Sequence, residues 1–382
     1  MRIPLSRPDI TQAEIDAVSA VMRGERLSLG PKLDQFESAI SNYMGAPHAA
    51  AVSSGTAGLH LAVKAIAIGE GDEVIVPSFT FIAVANAIRY ERAMPVFVDI
   101  DAQTLNLDPA AVEAAITART RAILAVHTFG VPADIQKLFA VAKLHNLILL
   151  EDACEAIGAE WQGQKVGTFG AAGILGFYPN KQITTAEGGA VVTQDEKMAE
   201  RIRSLRNQGR TPAGDWFDHI EIGYNYRLSE LHATIGIEQL KRIESILARR
   251  AEIARGYAQR LASCTDVILP VQHLPNCRVS WFVFPIRLAQ SFSRLQRDQI
   301  VQEMARRGIG CGRYFPPIHQ QLPYRRKGLV LPVTEQVADR IIALPFFNAL
   351  TDEQLDEICL ALRDCVATAA RQSFVSKAAS LR

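Results

Sequence analysis

Short runs of apolar residues alternate with helical patterns over the first half of the chain. Residues 11–14 have the form of a capping box and predict the start of a first helix. A second helix is predicted between Pro31 and Gly45, which are typical of a helix start and a helix end. We predict strands at 49–52, 74–76, 94–98, 122–127, 147–150, 172–177 and 189–193. Strands so short and apolar, separated by helices, predict a mostly parallel seven-stranded sheet covered by helices on both faces.

A long, charged helical pattern at 229–262 ends this alternation. We predict that it leads from a large domain, 1–245, into a smaller C-terminal α/β domain, 246–382. The smaller part contains an apolar strand-like run at 281–286 and helical patterns at 295–307 and 352–362. A chain of 382 residues is long enough for two domains.

A turn of small residues, SSGTAG at 53–58, follows the first predicted strand and precedes a helical pattern. The free backbone N–H groups at a helix N-terminus bind anions such as phosphate, and small side chains let the anion approach. Ordinary helix capping is the alternative interpretation of the same residues.

Lys181 is the only basic residue in the stretch FYPNKQITTAEGG at 177–189. A lysine held out of bulk water is more readily uncharged, and its amine is then a nucleophile toward aldehydes. A solvated lysine on a loop is the alternative interpretation.

Two carboxylates, Glu151 and Asp152, follow the predicted strand 147–150. Ligands in open α/β sheets bind at the edge formed by the carboxyl ends of the strands. An Asp at this edge can pair with the protonated pyridine nitrogen of pyridoxal phosphate (PLP), whereas a helix N-cap is the alternative. The order of phosphate-binding turn, carboxylate and lysine predicts a PLP site.

Composition excludes several other classes of protein. The net charge of +1 offers no basic surface for nucleic acid or for an anionic membrane. The six cysteines are scattered, with no C-x-x-C pair, which is typical of free thiols in a reduced compartment rather than of disulfides or a metal site. No stretch has the pattern of a signal peptide or a membrane span. We therefore expect a cytoplasmic protein without a metal ion.

Six motifs together resemble the DegT/StrS-type sugar-nucleotide aminotransferases, PLP enzymes of the aspartate-aminotransferase fold (fold type I). The motifs are SGTAGL at 54–59, PSFTF at 77–81, VFVD at 96–99, EDACEA at 151–156, Lys181 with EGG at 187–189, and GYNYR at 223–227. The resemblance covers nearly the whole chain. The form FYPNKQ is most similar to the 4-aminosugar synthases of this family, such as GDP-perosamine synthases.

The resemblance implies a role for each matching residue around the cofactor. Lys181 would bond covalently to the cofactor and move the proton of the reaction. Asp152 would pair with the pyridine nitrogen, and Phe81 would stack on the ring. Thr56 and Ala57 would donate backbone N–H groups to the phosphate.

Two positions differ from the residues that are common in the family, and three others would contact the substrate or the partner subunit. Glu155 stands where many members have a Gln near the 3-hydroxyl of the cofactor, and an ionised Glu cannot donate a hydrogen bond there. Gly176 stands where many members have a phosphate-binding Ser. Asn225 would reach the phosphate in the partner subunit, which implies a homodimer with shared active sites, although ordinary turn chemistry is an alternative. His319 and Ser28 would lie near the sugar, with a loop histidine as the alternative for His319.

The resemblance implies transfer of an amino group, from L-glutamate, to a nucleotide-linked 4-keto-6-deoxy hexose in aminosugar and polysaccharide biosynthesis. A 3-keto-sugar or cyclitol aminotransferase is the alternative within the fold. A desulfurase or lyase would need a suitably placed cysteine or acid, and none is evident. A DNA-binding regulator is the alternative outside enzymes, and the net charge of +1 and the lack of a helix-turn-helix pattern argue against it.

Overall fold

A seven-stranded sheet lies at the centre of the fold in the computed structural model, which describes residues 1–211, 215 and 217–380. The strands are β1 (His48–Val52), β2 (Glu73–Pro77), β3 (Met94–Val98), β4 (Thr120–Val126), β5 (Ile148–Asp152), β6 (Glu160–Trp161), β7 (Gln164–Lys165), β8 (Ala172–Gly176), β9 (Gly189–Thr193), β10 (Val267–Ile268), β11 (Cys277–Arg278), β12 (Phe284–Leu288) and β13 (Ile341–Leu344). The helices are α1 (Gln12–Met22), α2 (Pro31–Met44), α3 (Gly55–Ala65), α4 (Ala83–Tyr90), α5 (Pro109–Ala114), α6 (Ile135–Leu144), α7 (Glu196–Arg206), α8 (Glu230–Lys241), α9 (Ile243–Leu261), α10 (Arg294–Arg306), α11 (Pro332–Arg340) and α12 (Asp352–Ser380).

The central sheet has the strand order β1-β9-β8-β5-β4-β2-β3. Strand β9 pairs antiparallel with both of its neighbours, whereas the remaining neighbours from β8 to β3 pair in parallel. The prediction of a mostly parallel seven-stranded sheet with helices is therefore confirmed. Two three-stranded sheets, β10-β12-β13 and β11-β6-β7, accompany it.

Local signals account for several helix ends. The capping box of α1 is present, with hydrogen bonds between Thr11 and Glu14 in both directions. Pro31 occupies the first turn of α2, and Gly45 ends that helix at φ 71°, a left-handed conformation that glycine adopts without a steric penalty. The first helix thus begins, and the second begins and ends, where the sequence predicts.

The predicted continuous helix at 229–262 is wrong, because the chain breaks between α8 and α9 at Arg242. The backbone of Arg242 has φ −119° and ψ 14°, outside the helical region. Its side chain donates to Glu14 from Nε at 2.9 Å and to Asp9 from Nη1 at 3.0 Å. These long-range ion pairs tie the break to the N-terminal segment.

Two sets of buried side chains form the main cores. One packs α3, α4 and α7 against the central sheet, and a second set packs α9, α10 and α12 against the β10-β12-β13 sheet. Ile3 is buried in this second core and forms an isolated bridge with Ile309, so the chain begins against the C-terminal part. The domain boundary at 245/246 stays a prediction.

Among the described residues, no helix combines the length and the apolar character needed to cross a membrane. The six cysteines are free thiols. The cytoplasmic location stays a prediction.

A buried carboxylate attaches the edge strand β1 to α2 and α7. Glu37 accepts the N–H of Ala51 at 2.9 Å and the Nε of Arg203 at 3.2 Å, and it pairs closely with Arg206. Arg206 is 7% exposed and also donates to the Ala51 carbonyl. Because β1 leads directly into the turn at 53–58, this ion pair supports that turn from behind.

Replacing Glu37 with Ala should lower the free energy of unfolding by about 3–5 kcal/mol, because the Arg206 charge would remain buried without its partner. Urea denaturation monitored by circular dichroism measures the change. The matched control is Glu70→Ala, which removes an ion pair to Arg92 in which both side chains are more than three-quarters exposed. The control should change stability little, and an equal loss in both variants would contradict the role of the buried pair.

Candidate active site

A cavity of about 420 Å³ lies at the carboxyl edge of the central sheet. Its volume is in the range of small-molecule sites. It brings together five of the residues predicted from the motifs, namely Thr56, Phe81, Asp152, Glu155 and Lys181. The structure therefore brings these five predicted residues together in one place, and their roles stay predictions.

The N-terminus of α3 forms one end of the cavity. Ser54 caps the helix, because its side chain accepts the N–H of Ala57 at 3.1 Å. The helix-capping interpretation is therefore correct for Ser54. The capping hydrogen bond uses the N–H of Ala57, which is predicted from the sequence to bind the phosphate. Gly55 and Thr56 line the cavity in the first turn, where backbone N–H groups lack intrahelical partners.

Cys154 occupies the space beside the glycines of this end. A Cβ added to Gly55 would lie 2.9 Å from its Sγ, and one added to Gly176 would lie 3.1 Å from its Cβ. Burial raises the pKa of the Cys154 thiol well above its ordinary value, so the thiol stays protonated. Cys154 thus occupies the space next to Gly176. Gly176 is the position at which many members of the resembling family have a serine.

The two carboxylates at the end of β5 point to opposite sides of the strand, as strand geometry requires. Asp152 lines the cavity, and its Oδ1 accepts the N–H of Cys154 at 3.0 Å. Glu151 is fully buried and faces the other side, where its Oε2 lies 3.0 Å from Nε2 of His127. It also accepts three backbone N–H groups at 2.7–2.8 Å, those of Gly167, Phe169 and Gly170. One carboxylate therefore serves the cavity and the other holds the loop beneath it.

Lys181 is sheltered at the centre of the cavity wall, with its side chain 15% exposed. Its Nζ lies 3.3 Å from Oε1 of Glu155 and 4.2 Å from the centre of the Phe282 ring. The other carboxylate oxygen of Glu155 accepts the N–H of Phe129 at 3.0 Å. Burial raises the pKa of Glu155, and this effect exceeds the opposing influence of Lys181 and the Phe129 N–H. Glu155 is thus more easily protonated than an ordinary Glu, and a protonated carboxyl can donate a hydrogen bond as Gln does.

The structure does not bring His319 into the cavity wall. His319 is buried, with Nδ1 at 2.7 Å from the Ser78 hydroxyl and Nε2 at 3.0 Å from Glu335. Its backbone N–H also donates to the Ser78 hydroxyl at 3.1 Å. Through these contacts His319 holds the PSFTF loop, and its predicted contact with the sugar stays a prediction.

Ser28 and Asn225 lie outside the cavity of their own chain. Both are exposed, and each forms an isolated bridge, Ser28 with Ser229 and Asn225 with Asn207. Their predicted roles toward substrate and the partner subunit stay predictions.

Several residues of the wall were missed by sequence reasoning, namely Asn180, Phe282, Tyr314 and Phe315. Phe282 belongs to an apolar run that indicates a core strand, so nothing in the local sequence distinguishes it. The Phe315 ring stacks on Phe129 at 5.5 Å between centroids. The C-terminal part of the chain therefore closes the cavity with aromatic side chains.

Glu155→Gln should change the pH dependence of stability in protein stripped of any PLP. Because the folded-state pKa of Glu155 is raised, the folded protein holds its proton more tightly than the unfolded chain, whose Glu pKa is about 4.3. The stabilisation is present below that value and is lost as pH rises through the raised folded-state pKa. The neutral Gln variant should therefore gain stability relative to the wild type as pH rises over this window, in urea denaturation at several pH values. A difference between variant and wild type that does not vary with pH would contradict the raised pKa.

Solved aminotransferase structures are similar to this fold over nearly its whole length. Spr1654 of Streptococcus pneumoniae, assigned as a sugar aminotransferase, matches in its PLP-form with a TM-score of 0.91 and 29% identity, covering 97% of this chain and 100% of that one. PseC of Helicobacter pylori, an aminotransferase of pseudoaminic acid biosynthesis, matches with a TM-score of 0.92 and 28% identity, covering 96% and 100%. DesV of S. venezuelae matches with a TM-score of 0.88 and 35% identity, covering 96% and 98%.

Sequence comparison agrees with the structural likeness. The uncharacterized protein MJ1066 of Methanocaldococcus jannaschii is 36% identical over 379 residues, covering 95% of this chain and 97% of that protein. The sequence model of the DegT/DnrJ/EryC1/StrS aminotransferase family matches residues 8–363 and includes all six motifs. The resemblance seen in the motifs is therefore confirmed, and the chain is an enzyme that belongs to the DegT/DnrJ/EryC1/StrS aminotransferase family.

Proposed function

We propose that this aminotransferase uses PLP to transfer an amino group from L-glutamate to a nucleotide-linked 4-keto-6-deoxy hexose. The observation that carries the proposal is the presence of Lys181, Asp152 and the first turn of α3 in one cavity at the carboxyl edge of the sheet. The sugar class is supported by the likeness to Spr1654, and the position of the ketone by the FYPNKQ form around Lys181.

The cavity residues fit PLP in charge and shape. The first turn of α3 suits the phosphate, Asp152 suits a protonated pyridine nitrogen, and Lys181 suits an aldehyde. A Cβ on Gly189 would lie 2.6 Å from the Ser54 backbone, so the absence of a side chain there lets the turn at 53–58 pack closely. When bound, PLP supplies an electron sink for the carbanion that forms at the substrate carbon.

In this proposal Lys181 does the proton transfer. Its Nζ takes the proton from the carbon of the amino donor and gives a proton to the sugar carbon in the second half of the reaction. The Phe282 ring at 4.2 Å from Nζ shields the amine from water. Glu155 at 3.3 Å orients the amine, and Asp152, held by the Cys154 N–H, keeps the opposite end of the site negative.

Borohydride reduction of the PLP-loaded enzyme, followed by peptide mapping, should place the pyridoxyl group on Lys181. Lys181→Ala should still bind pyridoxamine phosphate but should lose at least about 10³-fold in rate, because the variant lacks the amine that transfers the proton. Lys165→Ala is the matched control, since Lys165 lies over the Tyr43 ring at 4.7 Å and outside the cavity, and it should keep full activity. A label on another lysine would contradict the assignment.

The substrate class is tested by incubating the enzyme with glutamate and GDP-, UDP- or dTDP-linked keto sugars, with the products read by mass. Amination of one of these sugars supports the proposal. Activity toward free keto acids alone would contradict it.

The exposed position of Asn225 supports a homodimer with shared sites. Tyr224 and Tyr226 on either side of it stack at 5.0 Å and face inward. The Tyr226 hydroxyl lies 3.2 Å from Nδ1 of His60, and the Tyr226 carbonyl accepts the N–H of Ser53 at 2.8 Å. Both neighbours are held inside the fold, so the exposed Asn225 is available for contact with a second subunit.

Mixing two inactive variants tests this arrangement. Lys181→Ala and Asn225→Asp, unfolded together and refolded with PLP, should restore up to about one active site in four, because random heterodimers put both lesions in one site and none in the other. In Asn225→Asp the carboxylate would repel the phosphate. The measurement is glutamate-dependent amination by the refolded mixture.

The control mixture is Lys181→Ala with Asp152→Asn. Both lesions then lie in the cavity of their own chain, so no intact site forms and activity should stay absent. Failure of the Asn225→Asp mixture, under conditions in which wild type recovers, would show that Asn225 acts within its own chain.

A further inference from the structure

The cavity wall contains a polar atom that the described protein leaves unsatisfied. Oδ1 of Asn180 is buried and accepts no hydrogen bond from the described residues. Asn180 lines the cavity and directly precedes Lys181 in the chain. Buried acceptors are nearly always satisfied in folded proteins, so an unsatisfied one in a cavity indicates a hydrogen-bond donor on a ligand.

Tyr314 lines the same cavity as Asn180 and completes this polar group. Burial raises the pKa of Tyr314, the Glu155 carboxyl adds to this effect, and the Asn180 amide opposes it. The phenol therefore keeps its proton at neutral pH, and its O–H group can donate a hydrogen bond to a ligand in the cavity.

Together the two side chains offer one acceptor, Oδ1 of Asn180, and one donor, the O–H of Tyr314. A hydroxyl group can donate to the first and accept from the second at the same time. A carboxylate has no proton for Oδ1, and a methylene group can satisfy neither. The pair is therefore complementary to an alcohol and not to an acid.

The location of the pair connects it with the reacting carbon. Tyr314 lines the same cavity as Glu155, and Glu155 lies 3.3 Å from Nζ of Lys181. The carbon that exchanges its proton with Lys181 must lie beside that amine. We propose that Asn180 and Tyr314 determine specificity by binding a hydroxyl group of the acceptor sugar on a carbon next to the one that is aminated. This inference rests on the proposed function.

The test compares two acceptors in wild type, Asn180→Ala and Tyr314→Phe. The probes are GDP- and dTDP-linked 4-keto-6-deoxy hexoses and their 3-deoxy counterparts, with glutamate as donor. Wild type should prefer the hydroxylated sugar by roughly 10- to 100-fold in kcat/KM, and each variant should lose most of that preference. In both variants, the affinity of the holoenzyme for the hydroxylated aminosugar product, measured by calorimetry, should fall by a similar factor.

The matched control is Tyr324→Phe, which removes a hydrogen bond of 2.6 Å between Tyr324 and Asn86 outside the cavity wall. This variant should change neither the preference between sugars nor the affinity for the product.

The half-reaction with glutamate, followed by the loss of PLP absorbance, separates the outcomes. It should be unchanged in both variants. A loss in this half-reaction would mean that the pair serves the cofactor or the amino donor, and an equal loss on both sugars would mean a purely structural role, so either result overturns the inference. If wild type reacts with glutamate but aminates no keto sugar, the proposed function is wrong and the inference falls with it.

Discussion

The buried carboxylate of Glu151 is the interaction on which the carboxyl edge of the sheet depends. It receives three backbone N–H groups from the loop after β7 and one ring nitrogen of His127, at 2.7–3.0 Å. The other ring nitrogen of His127 accepts the N–H of Ala133 at 3.0 Å. An acidic group with no access to water would be costly without such partners, and their convergence fixes the loops on both sides of β5. Asp152 follows in the chain and is held toward the cavity.

A chain of contacts leads from the Glu151–His127 pair to Lys181. The segment after His127 turns so that Phe129 donates its N–H to Glu155, and Glu155 in turn approaches Lys181. The turn requires Gly130 at φ 86°, because a Cβ there would lie 1.6 Å from the carbonyl oxygen of Ser280. This close approach joins the C-terminal part of the chain to the central sheet and brings the aromatic ring of Phe282 over the lysine.

Much of the fold could be predicted from sequence because its signals are local. Each buried strand is a short apolar run, and each turn into a helix has a cap such as Ser54 or a proline such as Pro31. The predicted continuous helix at 229–262 failed at Arg242, although the helical pattern of the sequence is continuous there. The break is made by ion pairs of Arg242 to Asp9 and Glu14, which are more than 200 positions away. A hydrophobic pattern over a short stretch of sequence contains no information about contacts between residues so far apart in the chain.

At the site, the sequence patterns predict that Asp152, Lys181 and the α3 turn lie together, because the carboxyl ends of parallel strands meet at one edge of the sheet. The packed structure adds contacts that the patterns could not give: Glu151 faces the other side of β5, the His319 side chain contacts Ser78, and Tyr314 lines the same cavity as Asn180. The physical reason is that hydrogen bonds, burial and aromatic contacts join residues that are distant in sequence, and their geometry exists only once both parts of the chain have packed together.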